Sequence, residues 1–254
     1  MVFVALLIAP VVMAAAAVIE RHLGPSAAGW VAALPVSFTV AVLAVSLDAG
    51  DRTASAMALS AATHVPAQLA FAVVFAAVLT RRGLLLGAAA GTLAYVAFAI
   101  ALAGVPDALV LASTVPALTL APRLITRSRP RVGSPRRPRT TVLMCAAASM
   151  IVGGAVLTSR LAGPVAAGAV AAFPTMSATL AVAVVTRDGP LPGAHALVGL
   201  TRSLPCYLAF CLVVVLAAPS VGPPAIALAL MACGATGHVT WRGVPRAPRV
   251  ATAR

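Results

Sequence analysis

Apolar runs separated by short polar breaks fall at Val2–Ile19, Ser26–Leu47, Ala56–Leu79 and Leu84–Ala103, and a weaker one begins at Ala108. After a break rich in arginine and proline they resume at Val142–Leu157, Val165–Val185, Ala196–Ala217 and Pro224–Val239. Every backbone amide and carbonyl in hydrocarbon must be satisfied within its own segment, so such runs are read as transmembrane helices. Nothing alternates with the period of barrel strands. The fifth run is the marginal one: Ala108–Ala121 is short, contains Pro116, and reaches spanning length only if Arg123 snorkels to the interface. The pattern predicts an all-α polytopic membrane protein of about nine transmembrane helices.

The stretch from Gly24 to Pro35 returns from Gly163 to Pro174, and the match runs without a gap to Val74 and Val213, with about 17 identities in roughly 51 positions. Alanine and valine coincide by chance in membrane helices. The pairs that carry the duplication are Gly24 and Gly163, Pro25 and Pro164, Gly29 and Gly168, Pro35 and Pro174, Gly50 and Gly189, Pro66 and Pro205, and Phe71 and Phe210.

Composition agrees with a bilayer: 61% of the 254 residues are hydrophobic, 9% are charged, and the mean hydropathy is +1.05. A formal charge of +13 in a soluble protein would suggest nucleic acid, but here the arginines flank apolar runs. Seven of the 18 basic residues lie between Arg123 and Arg139 and four more follow Trp241. That is the distribution of cytoplasmic membrane flanks, suited to anionic lipid head groups at Arg123–Arg139 rather than to nucleic acid. The opening run lacks the positive region of a signal peptide and is read as a helix that stays.

With nine helices the amino terminus is outside and the carboxy terminus cytoplasmic, as befits a multi-pass protein of the cell inner membrane. Glu20-Arg21 and Arg81-Arg82 then face inward, and Asp48 to Asp51 and Pro106-Asp107 face outward. The turn at Asp48–Arg52 and its counterpart at Arg187–Leu191 end on opposite sides, so the two repeats are expected to be inverted. The expected layout is residues 1–122 as a first repeat of four helices plus one extra, 123–140 as a cytoplasmic linker, 141–240 as a second repeat, and 241–254 as a basic cytoplasmic tail.

At Ala172-Phe173-Pro174-Thr175, Arg187-Asp188-Gly189 and Ser203-Leu204-Pro205-Cys206-Tyr207-Leu208 the second half resembles the GlpM-type bacterial inner-membrane proteins. The first half has Leu34-Pro35-Val36 and His64-Val65-Pro66-Ala67-Gln68 at those places. The resemblance implies a duplicated small inner-membrane protein, each half a four-helix unit, and brings no chemistry with it.

Candidate chemistry is sparse. Pro35 and Pro174 fall inside spans, as do Pro66 and Pro205, and each is expected to kink its helix. Hydroxyls follow the first two, among them Thr175 and Ser177, and are expected to line a cavity between broken helices. Near the second pair lie His64, Gln68, Arg202 and Tyr207. Arg202 is the sharpest of them, because an ionised side chain inside a membrane is costly and its fixed charge would favour an anionic ligand. His64 could carry a proton. The alternatives are that Arg202 snorkels back to the interface and that His64 is hydrogen-bonded within its helix.

No carboxylate lies inside any expected span, and HExxH, GxSxG and P-loop motifs are absent from the chain. The four cysteines lack metal spacing. No enzyme, cofactor or metal site is expected. The leading expectation is an inverted-repeat secondary transporter or flippase-like carrier, with a non-transporting accessory membrane protein as the rival.

Overall fold

A computed structural model describes residues 18–20, 22–125 and 163–244. Most of the Val2–Ile19 run, the Val142–Leu157 run with Cys145, nearly all of the linker and most of the tail lie outside the described residues.

All regular structure among the described residues is helical. Six stretches are long and apolar enough to cross a membrane. Pro25–Ala49 is made of α1 (Pro25–Ala32) and α2 (Val36–Ala49), and Asp51–Arg82 of α3 (Asp51–Thr63) and α4 (Val65–Arg82). Then come α5 (Leu84–Leu102) and α6 (Asp107–Ile125). Gly163–Asp188 is made of α7 (163–172) and α8 (Thr175–Asp188), and α9 is Pro190–Val221. The apolar helix α10 (Ala225–Trp241) is shorter, at 17 residues. The chain is an integral, multi-pass membrane protein. Six spans and one shorter helix are what the described residues hold of the nine expected.

The marginal fifth run becomes a helix of 19 residues that passes through both Pro116 and Pro122. Proline removes an amide donor, and hydroxyls supply hydrogen bonds to carbonyls along the same helix. Thr114 bonds the carbonyl of Val110 at 2.8 Å and Thr119 that of Pro116 at 2.8 Å.

Three junctions between consecutive spans are single glycines, Gly50, Gly83 and Gly189. Gly50 and Gly189, at φ 88° and 93°, each end one helix and begin the next. Backbone in this left-handed region is strained for any residue with a Cβ. The described glycines of positive φ are Gly24, Gly50 and Gly83, then Gly163, Gly189 and Gly222, each of the first three 139 residues from its counterpart.

The helix α9 is the hub: it packs against α1, α3, α4, α6, α8 and α10. Leu197, Leu200, Leu204 and Phe210 on it are fully buried. The outer surface is apolar, with Leu85 84%, Ile100 71%, Leu216 78% and Val239 69% exposed. An apolar exterior of this kind is what lipid tails, not water, accommodate.

Close approach at the hub depends on small residues, and the contacts come in reciprocal pairs. A Cβ on Gly29 would overlap the Ala196 carbonyl, and one on Gly168 would collide with the carbonyl of Met57 and the side chain of Ser60. Ala196 stands to Met57 as Gly168 stands to Gly29, 139 positions on. Likewise a Cβ on Gly199 would meet the Ser26 carbonyl, while Ser60 donates its hydroxyl to the Val165 carbonyl at 2.7 Å. The two long spans run antiparallel. Ser55, early in the first, donates to the carbonyl of Val215, late in the second, at 3.1 Å. Ala76, late in the first, lines one groove with Ala194, early in the second.

Charge is divided between the two ends of this bundle. Arg81, Arg123 and His195 line a single groove at one end. Arg187 pairs with Glu20 and Asp188 at that same end, just before α9 begins. At the other end Asp51 accepts a hydrogen bond from Ser46 and lies 3.3 Å from where a Cβ on Gly222 would stand.

Candidate functional site

Proline cannot donate to the preceding turn, and the spans Pro25–Ala49 and Gly163–Asp188 are both interrupted at their prolines. The interruptions have the same shape. The amide of Val36 turns back to the carbonyl of Leu34 at 2.8 Å, and that of Thr175 to Phe173 at 2.8 Å. Pro35 and Pro174 become the N-caps of α2 and α8, with φ of −75° and −79°. These are breaks rather than kinks, and each leaves last-turn carbonyls and first-turn amides without helical partners.

The two breaks meet. Ser37 reaches Met176, the residue 139 positions on, with its hydroxyl 3.7 Å from the Met176 sulfur, and α1 packs against α8. A cavity of about 90 Å³ lies at the meeting point. Its walls pair up at the same separation: Ala32 with Ala171, Ala33 with Ala172, Leu34 with Phe173, and Pro35 with Pro174. Ser37 with Met176, Phe38 with Ser177, and Gln68 with Tyr207 complete the pairs. Thr175 and Leu200 are the remaining lining residues.

Four of the expected site residues therefore stand together: Gln68, Tyr207, Thr175 and Ser177, all buried. Thr175 is occupied by the Phe173 carbonyl at 3.2 Å. The Nε2 of Gln68 and the hydroxyl of Tyr207 are buried and have no hydrogen-bond partner of good geometry among the described residues. The thiol of Cys211, a weak donor one turn on, lies beside the phenol. Phe38 holds the Tyr207 ring, centroid to centroid at 5.3 Å.

Arg202 and His64 do not line this cavity. Arg202 is half-buried on α9 and donates to the Gly243 carbonyl just beyond α10. This is the snorkelling geometry, directed to the arginine-rich end. His64 sits at the break between α3 and α4 with Nδ1 2.6 Å from the Ser60 carbonyl, and its ring lies 6.4 Å from that of Tyr95.

Pro66 opens α4 directly after this break, whereas Pro205 lies inside the unbroken α9. Ser37 lines the cavity as expected of a hydroxyl following Pro35, whereas Phe38 and Phe173 belong to the site although their residue types gave no signal of it. Their nearness to Pro35 and Pro174 was the usable one. The cysteines Cys206, Cys211 and Cys233 are buried and free, and the described residues hold no cluster of metal-ligating side chains. No family model, curated protein or solved structure matches the chain.

Proposed function

We propose that the chain is a secondary carrier built as two inverted copies of one membrane unit, with its substrate site at the crossing of the broken spans. The observation that carries this reading is the cavity walled by pairs of residues at one constant separation. Antiparallel packing of Asp51–Arg82 on Pro190–Val221 supports inversion, since two spanning helices related in this way enter from opposite faces. Broken helices at the interface of two repeats expose backbone groups at membrane depth, where they are tolerated if they line a cavity.

The end holding Arg81, Arg123 and Arg187 is the cytoplasmic one by the positive-inside bias, and the end holding Asp48 and Asp51 is external. On this reading, and with the GlpM-type resemblance, the chain sits in a bacterial inner membrane with Arg81 and Arg123 toward anionic head groups. A cavity of about 90 Å³ suits a small solute and is too small for the head group of a flipped lipid. With Arg202 outside it, the anionic preference loses the residue that suggested it.

A non-transporting accessory protein is the second reading, favoured by the engagement of both Arg202 and His64 with backbone carbonyls. Access to Ser177→Cys separates the two. In sealed vesicles of both orientations, a membrane-impermeant thiol reagent reaches a carrier's central cysteine from either side. Protection from both sides supports the accessory role.

A further inference from the structure

The walls of the central cavity specify a ligand class, on the carrier reading given above. No side chain that is charged at neutral pH is among its lining residues. Four helix ends take that place. Ala32 and Ala33 close α1, and Ala171 and Ala172 close α7, while Ser37 and Phe38 open α2, and Met176 and Ser177 open α8. A helix carries roughly half a positive charge at its amino end and half a negative charge at its carboxy end. Two ends of each sign meet here, so their fields balance. A single ion would lose its hydration and gain little net attraction. A solute with no net charge but separated poles can set each pole against the ends that favour it.

Two further observations point to a bound ligand rather than to an inert packing fault. Gln68 and Tyr207 are 3% and 6% exposed and both line the cavity; the Nε2 of Gln68 has no partner among the described residues, and the Tyr207 hydroxyl has only the weakly bonding Cys211 thiol beside it. Buried groups of this kind are normally satisfied by protein, water or ligand. The two halves also present different groups at paired positions, Gln68 against Tyr207 and Ser37 against Met176. An asymmetric lining accommodates a ligand whose two ends differ.

We propose that the cavity binds a small zwitterion of the amino-acid class. Its carboxylate faces the amino ends of α2 and α8, its ammonium faces the carboxy ends of α1 and α7, and Gln68 and Tyr207 complete its hydrogen bonds. The volume limits it to a handful of heavy atoms.

Equilibrium binding of labelled glycine to the full chain in lipid nanodiscs tests this. L-alanine should compete, and acetate, methylammonium and chloride at tenfold excess should not. Gln68→Leu and Tyr207→Phe should each weaken glycine binding by about tenfold. If either variant does not survive purification, protection of the unmodified protein from thermal unfolding should rank the same probes in the same order. Competition by acetate or chloride equal to that of L-alanine, or no binding of glycine, overturns the proposal. Should Ser177→Cys be reached from both sides while glycine fails to bind, the ligand class is wrong and the carrier reading stands. Protection of that cysteine from both sides removes both.

Discussion

The spans Asp51–Arg82 and Pro190–Val221 occupy the same place in the two halves and are each 32 residues long, yet the first is interrupted at His64 and the second is continuous. Both carry proline at the same register, Pro66 and Pro205. One missing donor therefore does not decide whether a membrane helix breaks; the neighbours do. Where α3 gives way to α4, the Ser60 carbonyl receives the His64 amide and the Thr63 hydroxyl and has the His64 ring 2.6 Å away, whereas the position matching His64 in α9 is Ser203. In α9 the hydroxyls of Thr201 and Ser203 fold back onto the carbonyls of Val198 and Leu200 and the helix runs on. Glycine and proline set a frame common to both halves, and the side chains around it make the halves unlike.

If the reciprocal contacts hold the halves together, the frame should be far less tolerant than the lining. The largest effect is expected at Gly29→Ala and Gly199→Ala, where the new methyl meets backbone that cannot turn aside. Each should lower stability by about 1–3 kcal/mol or abolish folded protein, as read from thermal unfolding in detergent. Gly168→Ala should cost somewhat less, because its nearest obstacle, the Met57 carbonyl, would lie at 2.5 Å, farther off than the carbonyls met at the other two. Gly234→Ala, with nothing within 4 Å, should be close to neutral, and comparable losses at all four positions would break the distinction.

The next effect falls at the arginine-rich end. Glu20→Gln leaves Arg187 with Asp188, and should cost about 1–2 kcal/mol, measured in the same way. A smaller loss is expected for Tyr95→Phe. It removes one hydrogen bond of 2.6 Å to the Ala169 carbonyl but leaves the ring against Phe173, so about 1 kcal/mol is expected. Position 234, the counterpart of Tyr95, is a glycine, so this bond exists in one half alone. A large loss at Tyr95 would mean that the halves differ in framework and not only in lining.

The helices themselves were legible in the sequence, because lipid allows the backbone few other solutions. The breaks were legible as prolines inside apolar runs. What the apolar pattern hides is rotation about each helix. Arg202 and Tyr207 are five residues apart, which turns them by about 140° from one another, so one can face the cavity while the other faces the end of α10. His64 and Gln68, four apart and linked by the Gln68 amide to the His64 carbonyl, share a face, yet the His64 ring turns back to the Ser60 carbonyl and stays out of the cavity. Span α6 looked marginal because Ala108–Ala121 is short and contains Pro116; it runs on through Pro122 to Ile125, and nearby hydroxyls hydrogen-bond carbonyls of the same helix. The pairing of Glu20 with Arg187 joins residues 167 positions apart, and no local pattern announces it.

Inversion is the claim on which the carrier reading rests, and side-specific labelling tests it most directly. Single cysteines at Asp48→Cys and Asp188→Cys, in a background without native cysteines, would be exposed to an impermeant thiol reagent in intact cells and in inverted vesicles. The account predicts that Asp48→Cys reacts in intact cells and Asp188→Cys in inverted vesicles. Labelling of both in the same preparation would contradict it.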